Sequence, residues 1–470
     1  MLDPHRRRLL KLAGGTLVAG GLVAVGRPIW ADQRPGLAEA GQPLPALGQL
    51  PLQRFGGVAS ATLVASTAPA RLAGLPVTTM LYHGQLPGPL IRLREGEHVR
   101  LTFRNQLEVP SNLHLHGLHT SPAADAPFTH LMPGEAHVYE FTVPNGSAGT
   151  YWYHPHLHGQ IAPQLFAGLA GPLVIEGGAD ALPELRAAEE QVLVLKDYSV
   201  RHGQVRGHSL LDANGKQGSL LTVNGAWRPL LRAQRRTLRL RLINASTARY
   251  FRLSLGGLPL HLIATDGGFI GRPVPLSDLL LAPGERAEVL VQLPKDGTFE
   301  LSDLGYQSEG GTGPAQLLMR LQVPERGPLL PLPTHLADVE QLDTQASRVQ
   351  QVTLNQSFPL NFGMNGRAFD MNRVDLQARQ GTVELWDLVS RSDAAHPFHL
   401  HSYPFQVLSR GGRLEPFRAW RDVVNVPSGQ TVRIAVPFRD FAGTTVYHCH
   451  IAEHEDHGMM GVVQVLPQKG

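Results

Sequence analysis

One motif occurs twice in this chain at a fixed separation. Pro133-Gly134-Glu135, Val138, Gly149-Thr150 and Tyr153-His154-Pro155-His156 recur 294 residues later as Pro427-Ser428-Gly429, Val432, Gly443-Thr444 and Tyr447-His448-Cys449-His450. Such self-similarity points to two copies of one folded unit. Pro283-Gly284-Glu285 and Gly297-Thr298-Phe299-Glu300 repeat the same turn signals between them, without histidines. The middle copy has kept the fold signals and lost the polar motif. Short alternating runs such as His98-Val99-Arg100-Leu101-Thr102-Phe103, bounded by Gly and Pro turns, are the pattern of a β-sandwich. Fifty glycines, 37 prolines and 17% charged residues in 470 fit many short strands, and the length suggests about three domains of roughly 150 residues. The expectation is an all-β chain of three Greek-key sandwiches over residues 51–177, 191–323 and 347–470. Residues 32–50 and the proline-rich stretch after Pro324 read as linkers, and the alternative is a pair of larger sandwiches.

The single cysteine lies in the second copy of the motif, followed by His454 and Met459. Thiolate, two imidazoles and a thioether form the ligand set of a blue-copper site, with Cys and two His in a trigonal plane and Met axial. Along a strand, successive side chains face opposite ways, so Cys449 faces away from His448 and His450. Two metal sites joined through one cysteine follow. Partners are available in His114-Leu115-His116, His154-Pro155-His156-Leu157-His158 and His396-Pro397-Phe398-His399-Leu400-His401. These clusters and the terminal one, counting His119 and His457, hold 13 of the 22 histidines, a concentration that scattered surface histidines would not give. The imidazoles of each His-x-His pair lie on one strand face roughly 6 to 7 Å apart, a spacing suited to neighbouring metals. Four such histidines come from residues 114–156 and four from 399–450, so a cluster wedged between the first and last domains is the simplest geometry.

These four motifs resemble those of the multicopper oxidases, above all the bacterial three-domain laccases, over nearly the whole chain. The resemblance implies cupredoxin-like sandwiches and four copper ions, with dioxygen as co-substrate. It places the type 1 copper on His396, Cys449 and His454, with Met459 axial. It places the type 2 copper on His114 and His399, and the type 3 pair on His116, His154, His156, His401, His448 and His450. Asp125 and Glu455 occupy positions where it puts proton-relaying acids; the alternative is that they are solvated loop charges or braces for ligand imidazoles. His119, His158 and His457 read as loop residues or hydrogen-bonding neighbours of the ligands, and Met460 as packing beside Met459.

The implied reaction takes electrons singly from a small donor at the type 1 copper, through an imidazole edge that reaches solvent, and passes them through Cys449 to reduce dioxygen to water. The donor expected is a phenol or aromatic amine. Cu(I) oxidation in copper tolerance is the alternative, disfavoured by only eight methionines and by Ala394 and Ala395 before the His396 motif. A non-enzymatic exported structural protein would have lost ligands, and a copper nitrite reductase would lack histidines on both sides of the cysteine.

Arg6-Arg7-Arg8 followed by a glycine-rich apolar run from Leu12 to Val25 resembles a twin-arginine export signal over residues 1–31, implying a periplasmic or extracellular protein with no stable membrane span after cleavage. The run is too short for a comfortable span of about 20 residues, although a retained anchor is the alternative. Removing Arg6, Arg7, Arg8, Lys11, Arg27 and Asp3 leaves 37 basic and 38 acidic residues, which gives no basis for nucleic-acid binding. Replacing Arg6 and Arg7 by lysine is expected to strand the precursor in the cytoplasm; normal export of that variant, seen by fractionation, would contradict the signal.

Overall fold

The computed structural model describes residues 41–209, 212–294, 297–306, 314–323, 327–357 and 361–468; the expected export signal lies outside them. The described chain is built of strands in three sandwiches, each a long sheet packed on a shorter one. The long sheets share a parallel central pair: Val58–Leu72 with His98–Gln106, Glu189–Tyr198 with Thr237–Asn244, and Arg348–Ser357 with Thr382–Ser390. The shorter sheets repeat a second pattern. Each opens on a parallel pair, respectively Ile91–Arg94 with Gly171–Glu176, Leu230–Arg232 with Gln316–Gln322, and Leu376–Arg379 with Met460–Leu466. Each continues antiparallel into the strand that carries the repeated motif: Gly149–His154, Thr298–Asp303 and Gly443–Cys449. Parallel neighbours require a crossover between the two sheets, which gives these sandwiches their Greek-key character.

Apolar side chains alternate inward along these strands, as in Thr382–Ser390, where Glu384, Trp386, Leu388 and Ser390 are buried and the residues between them only partly so. The third core gathers Trp386, Phe398, Phe405, Phe438 and Tyr447 around Cys449 and Met459.

Two segments depart from the expected boundaries. Residues 41–50 are no free linker: Gly41 and Leu44 donate to the Arg228 and Leu230 carbonyls, and Leu50 to that of Leu90. Val200–Arg201 and Gln204–Val205, from the range expected for the second sandwich, extend the first sandwich's long sheet beside Leu75–Tyr82. Edge strands recruit whatever extended backbone is near, irrespective of sequence order. Among the described residues no helix is long and apolar enough to cross a membrane.

A buried ion-pair network of the second sandwich reaches the first through a threonine hydroxyl. Glu288 accepts from Thr150 Oγ1 at 2.7 Å and from Arg239 Nε at 2.8 Å, and also pairs with Arg241.

Candidate metal centre

Two strand pairs set the positions of the histidines. In the first sandwich His114–His116 lies antiparallel to Gly149–His154, with His114 opposite His154. In the third, His396–Leu400 lies antiparallel to Gly443–Cys449, with Phe398 opposite Cys449 and His399 opposite His448. The motif-bearing ends of both pairs meet, and eight imidazoles converge there, all buried.

They sort into two triads and a pair. Nε2 of His156, His401 and His448 lie 3.1, 3.1 and 3.2 Å apart. His116 Nδ1 lies 3.2 Å from Nε2 of both His154 and His450. His114 Nε2 and His399 Nε2 are 3.4 Å apart. On the other side of the strand, Cys449 Sγ is 3.6 Å from His396 Nδ1 and 3.7 Å from His454 Nδ1, and the two nitrogens are 3.3 Å apart. That nearly equilateral triangle has a centre about 2 Å from each corner, the bond length of a first-row metal to nitrogen or sulfur. The His156 triad gives about 1.8 Å by the same construction. Imidazole lone pairs brought this close repel one another, and a cation at the centre turns that repulsion into coordination. Burial pushes the Cys449 thiol far above its ordinary pKa, so only displacement of its proton by a metal gives a thiolate here. Met459 is fully buried in the same core, and its carbonyl accepts from the Cys449 amide.

Hydrogen bonds at the far nitrogens fix which nitrogen faces each centre. His154 and His448 donate through Nδ1 to the carbonyls of Pro155 and Cys449. Asp125 receives Nδ1–H of His114 on one oxygen and of His401 on the other, both at 2.8 Å. Its short helix, Pro122–Asp125, is capped by Ser121 and begins on a proline. Glu455 lies 3.1 Å from His448 Nδ1, a far nitrogen, but 2.8 Å from His156 Nε2, the nitrogen that faces the triad. Burial alone would raise its pKa, but His448 and His156 outweigh that and hold it well below the usual carboxylate range. The helix Ala452–Asp456 that carries His454 and Glu455 is tied to the first sandwich by Asp456, which accepts the amides of Gly159, Ile161 and Ala162.

One expectation is corrected. Neither imidazole of the expected type 1 site reaches solvent: His396 is 0% and His454 1% exposed. His396 Nε2 bonds Ser392 Oγ at 2.6 Å, and the His454 ring stacks on Phe362 at 4.8 Å. The backbone of Asn214 also faces His454, and Ala213 packs into the third core, so a middle-sandwich segment closes the site. A cover supplied by another domain leaves no local pattern in the sequence.

Outside the centres, His119 bridges the Ser402 carbonyl and Asp440, His158 packs on Phe369, and His457 bonds the Glu453 carbonyl. Met460 packs with Val446 and Val462. Sequence reasoning missed Asp422, whose Oδ1 receives His116 Nε2–H at 2.9 Å and whose carbonyl receives His399 Nδ1–H at 2.8 Å. It also missed Arg286, which grips that carboxylate from the middle sandwich. The one available signal was an arginine opening a mostly apolar run, Arg286–Gln292.

Burial holds His114, His116, His154, His399, His401 and His454 well below the ordinary histidine pKa, and His396 at about 4. Burial also acts on His156, but Glu455 reverses it and raises that group.

Three family models described as multicopper oxidase match residues 64–180, 201–316 and 333–469. The multicopper oxidase mco of Staphylococcus haemolyticus is 31% identical over 82% of this chain and 84% of its own length. The cell division protein FtsP of Dickeya dadantii is 30% identical over the same shares. Among solved structures, a Campylobacter jejuni multicopper oxidase called a metallo-oxidase superposes with a TM-score of 0.84 at 30% identity, covering 92% of this chain and 96% of its own. A laccase-like multicopper oxidase from Ochrobactrum, with oxidase activity towards lignin model compounds, gives 0.83 at 32% identity, covering 90% and 100%.

The depressed histidines stay neutral in the folded chain but protonate in the unfolded chain near pH 6.5. The unfolded state therefore binds more protons below that pH, so the metal-free protein should keep its full stability above about pH 6.5 and lose it as pH falls towards the His396 value of about 4. Urea midpoints of metal-free protein should be clearly lower at about pH 5 than at about pH 7.5; equal midpoints would contradict the neutral, buried cluster.

Proposed function

Because the chain belongs to the multicopper oxidase family, we propose that it is a laccase-like oxidase that takes electrons singly from phenols or aromatic amines and reduces dioxygen to water. The observation that carries this reading is the position of Cys449, whose sulfur stands with His396 and His454 while its chain neighbours His448 and His450 each enter a different histidine triad. On this reading one copper is held by His396, Cys449 and His454 with Met459, one by His114 and His399, and a pair by the two triads. Bound copper would supply reversible one-electron chemistry and the four-electron reduction of dioxygen.

The chain's own residues supply geometry, protons and access. Cys449 is the shortest covalent link between the two metal regions. Asp125, with both oxygens engaged by imidazoles, orients His114 and His401 and is proposed to pass protons along the same contacts. Glu455 faces the His156 triad and is the second acid proposed to deliver protons. A narrow cavity of about 20 Å³ lined by Phe128, Leu157, Met371 and Met460 abuts His156 and suits a small apolar molecule such as dioxygen. All twelve expected donor positions carry donors, which favours an enzyme over a non-enzymatic structural role, although some relatives are named cell division proteins. Export through residues 1–31 belongs to the same proposal.

A second reading has its own support. The closed type 1 site leaves no imidazole edge for an aromatic ring to stack on, which favours a small donor such as Cu(I).

Oxygen uptake by copper-loaded protein with a phenol, an aromatic amine and Cu(I) side by side separates the two. Organic donors are expected to turn over fastest; turnover on Cu(I) alone establishes the second reading, and none on any donor ends both. In the same assay Asp125→Asn and Glu455→Gln should slow every donor by a similar factor, on the order of 10²-fold, while anaerobic bleaching of the blue colour stays fast. Slowing of one donor only would move the acid to the donor entrance.

A further inference from the structure

The middle sandwich contributes no donor to any metal group among the described residues, yet its Arg286 reaches the junction of all three sandwiches. The guanidinium is fully buried. It donates through NH1 and NH2 to the two oxygens of Asp422 at 2.7 and 2.6 Å, through Nε to the Thr150 carbonyl at 3.2 Å, and to the carbonyls of Gly284 and Asp266 at 3.1 and 3.0 Å. Its own amide donates to Asp266 Oδ1 at 2.7 Å. The backbone is shaped to admit this fork. A Cβ on Gly117, at φ +88°, would stand 2.3 Å from Arg286 NH2 and 2.5 Å from Asp422 Oδ2. A Cβ on Gly284 would stand 2.7 Å from the His450 ring.

Asp422 in turn serves two imidazoles that belong to different metal groups. Its Oδ1 holds the proton of His116 on Nε2, which leaves Nδ1 to face His154 and His450. Its carbonyl holds the proton of His399 on Nδ1, which leaves Nε2 to face His114. The two rings stack at 3.9 Å and 14°, so one cannot rotate without the other. In the groupings described above, His116 alone among the eight presents Nδ1 to its metal group. That choice depends on a carboxylate at Nε2, and the carboxylate is held by both of its oxygens.

We propose that Arg286 and Asp422 are a positioning pair through which the middle sandwich sets the tautomers and spacing of His116 and His399, and thereby the copper affinity of the eight-histidine cluster. The inference rests on the oxidase reading above but concerns metal binding, not turnover. Lysine keeps the charge of Arg286 and cannot reproduce its planar fork, so Arg286→Lys removes the orientation and spares the ion pair. Asp422→Asn keeps one acceptor and turns an amide N–H against either His116 or Arg286.

Each variant is titrated with copper against a competing chelator, while blue absorbance reports the Cys449 site and the type 2 paramagnetic resonance signal with total copper reports the cluster. Partners that orient metal-binding histidines are typically worth roughly ten- to a hundredfold in metal affinity. A loss of that size is expected at the cluster, with blue absorbance per chain unchanged and the type 2 hyperfine splitting altered. The unchanged blue site also certifies that the variant is folded. Wild-type cluster affinity and hyperfine splitting in both variants would overturn the proposal, as would equal loss of blue and cluster copper together, which marks a merely structural pair. Wild-type protein that takes up no copper at the eight histidines would overturn the oxidase reading and this inference with it.

Discussion

The antiparallel pairing of His396–Leu400 with Gly443–Cys449 is the constraint on which the site depends. Its register sets Phe398 opposite Cys449 and His399 opposite His448, and the alternation of side chains then sends sulfur to one region and imidazoles to the other. A slip by one residue would exchange the faces and put the thiol among the histidines. The register is held by the apolar face that shares it, where Phe398, Tyr447 and Trp386 pack in the third core. Core packing and the proposed electron path are thus properties of one strand pair.

The second demand is electrostatic. Eight buried imidazoles with converging lone pairs must each present the right nitrogen, and that is the work of a few acceptors around them. Asp125 links His114 to His401, Asp422 links His116 to His399, and Glu455 lies against His156 and His448. Each acid ties together histidines contributed by two sandwiches: the first two join the first and third sandwiches to one another, and Glu455 does the same from the helix Ala452–Asp456. The carboxylates therefore set the distance between the sandwiches as well as the metal geometry. The middle sandwich, with no donor of its own among the described residues, enters this balance through Arg286.

Much of this was legible in the sequence because the information is local. His-x-His on a strand and a cysteine between histidines each act within a few residues of themselves, strand alternation converts them into geometry, and each copy of the repeat is itself a local pattern. Family resemblance implies a pair, His114 with His399, and six further histidines; the division of those six into two triads, with His116 also within reach of His114 and His399, is visible only in the structure. The parts that stayed hidden depend on contacts between domains. Asp422 lies in an ordinary-looking approach to Val423–Val426, and only the distant Arg286 gives it meaning. The cover over His454 comes from Asn214, some 240 residues earlier in the chain, and the strap of residues 41–50 is pinned by carbonyls of Leu90, Arg228 and Leu230. Periodicity carries no trace of such partners.

The central claim is that Cys449 joins a three-donor copper site to a separate histidine cluster. Cys449→Ser, loaded with copper and followed by visible absorption, paramagnetic resonance and total copper together, tests it most directly. Serine removes the thiolate and touches none of the eight imidazoles. The account predicts a colourless protein that has lost about one copper of about four and keeps the cluster's type 2 signal. A variant that stays blue, or one that loses cluster and colour together while remaining folded, would contradict it.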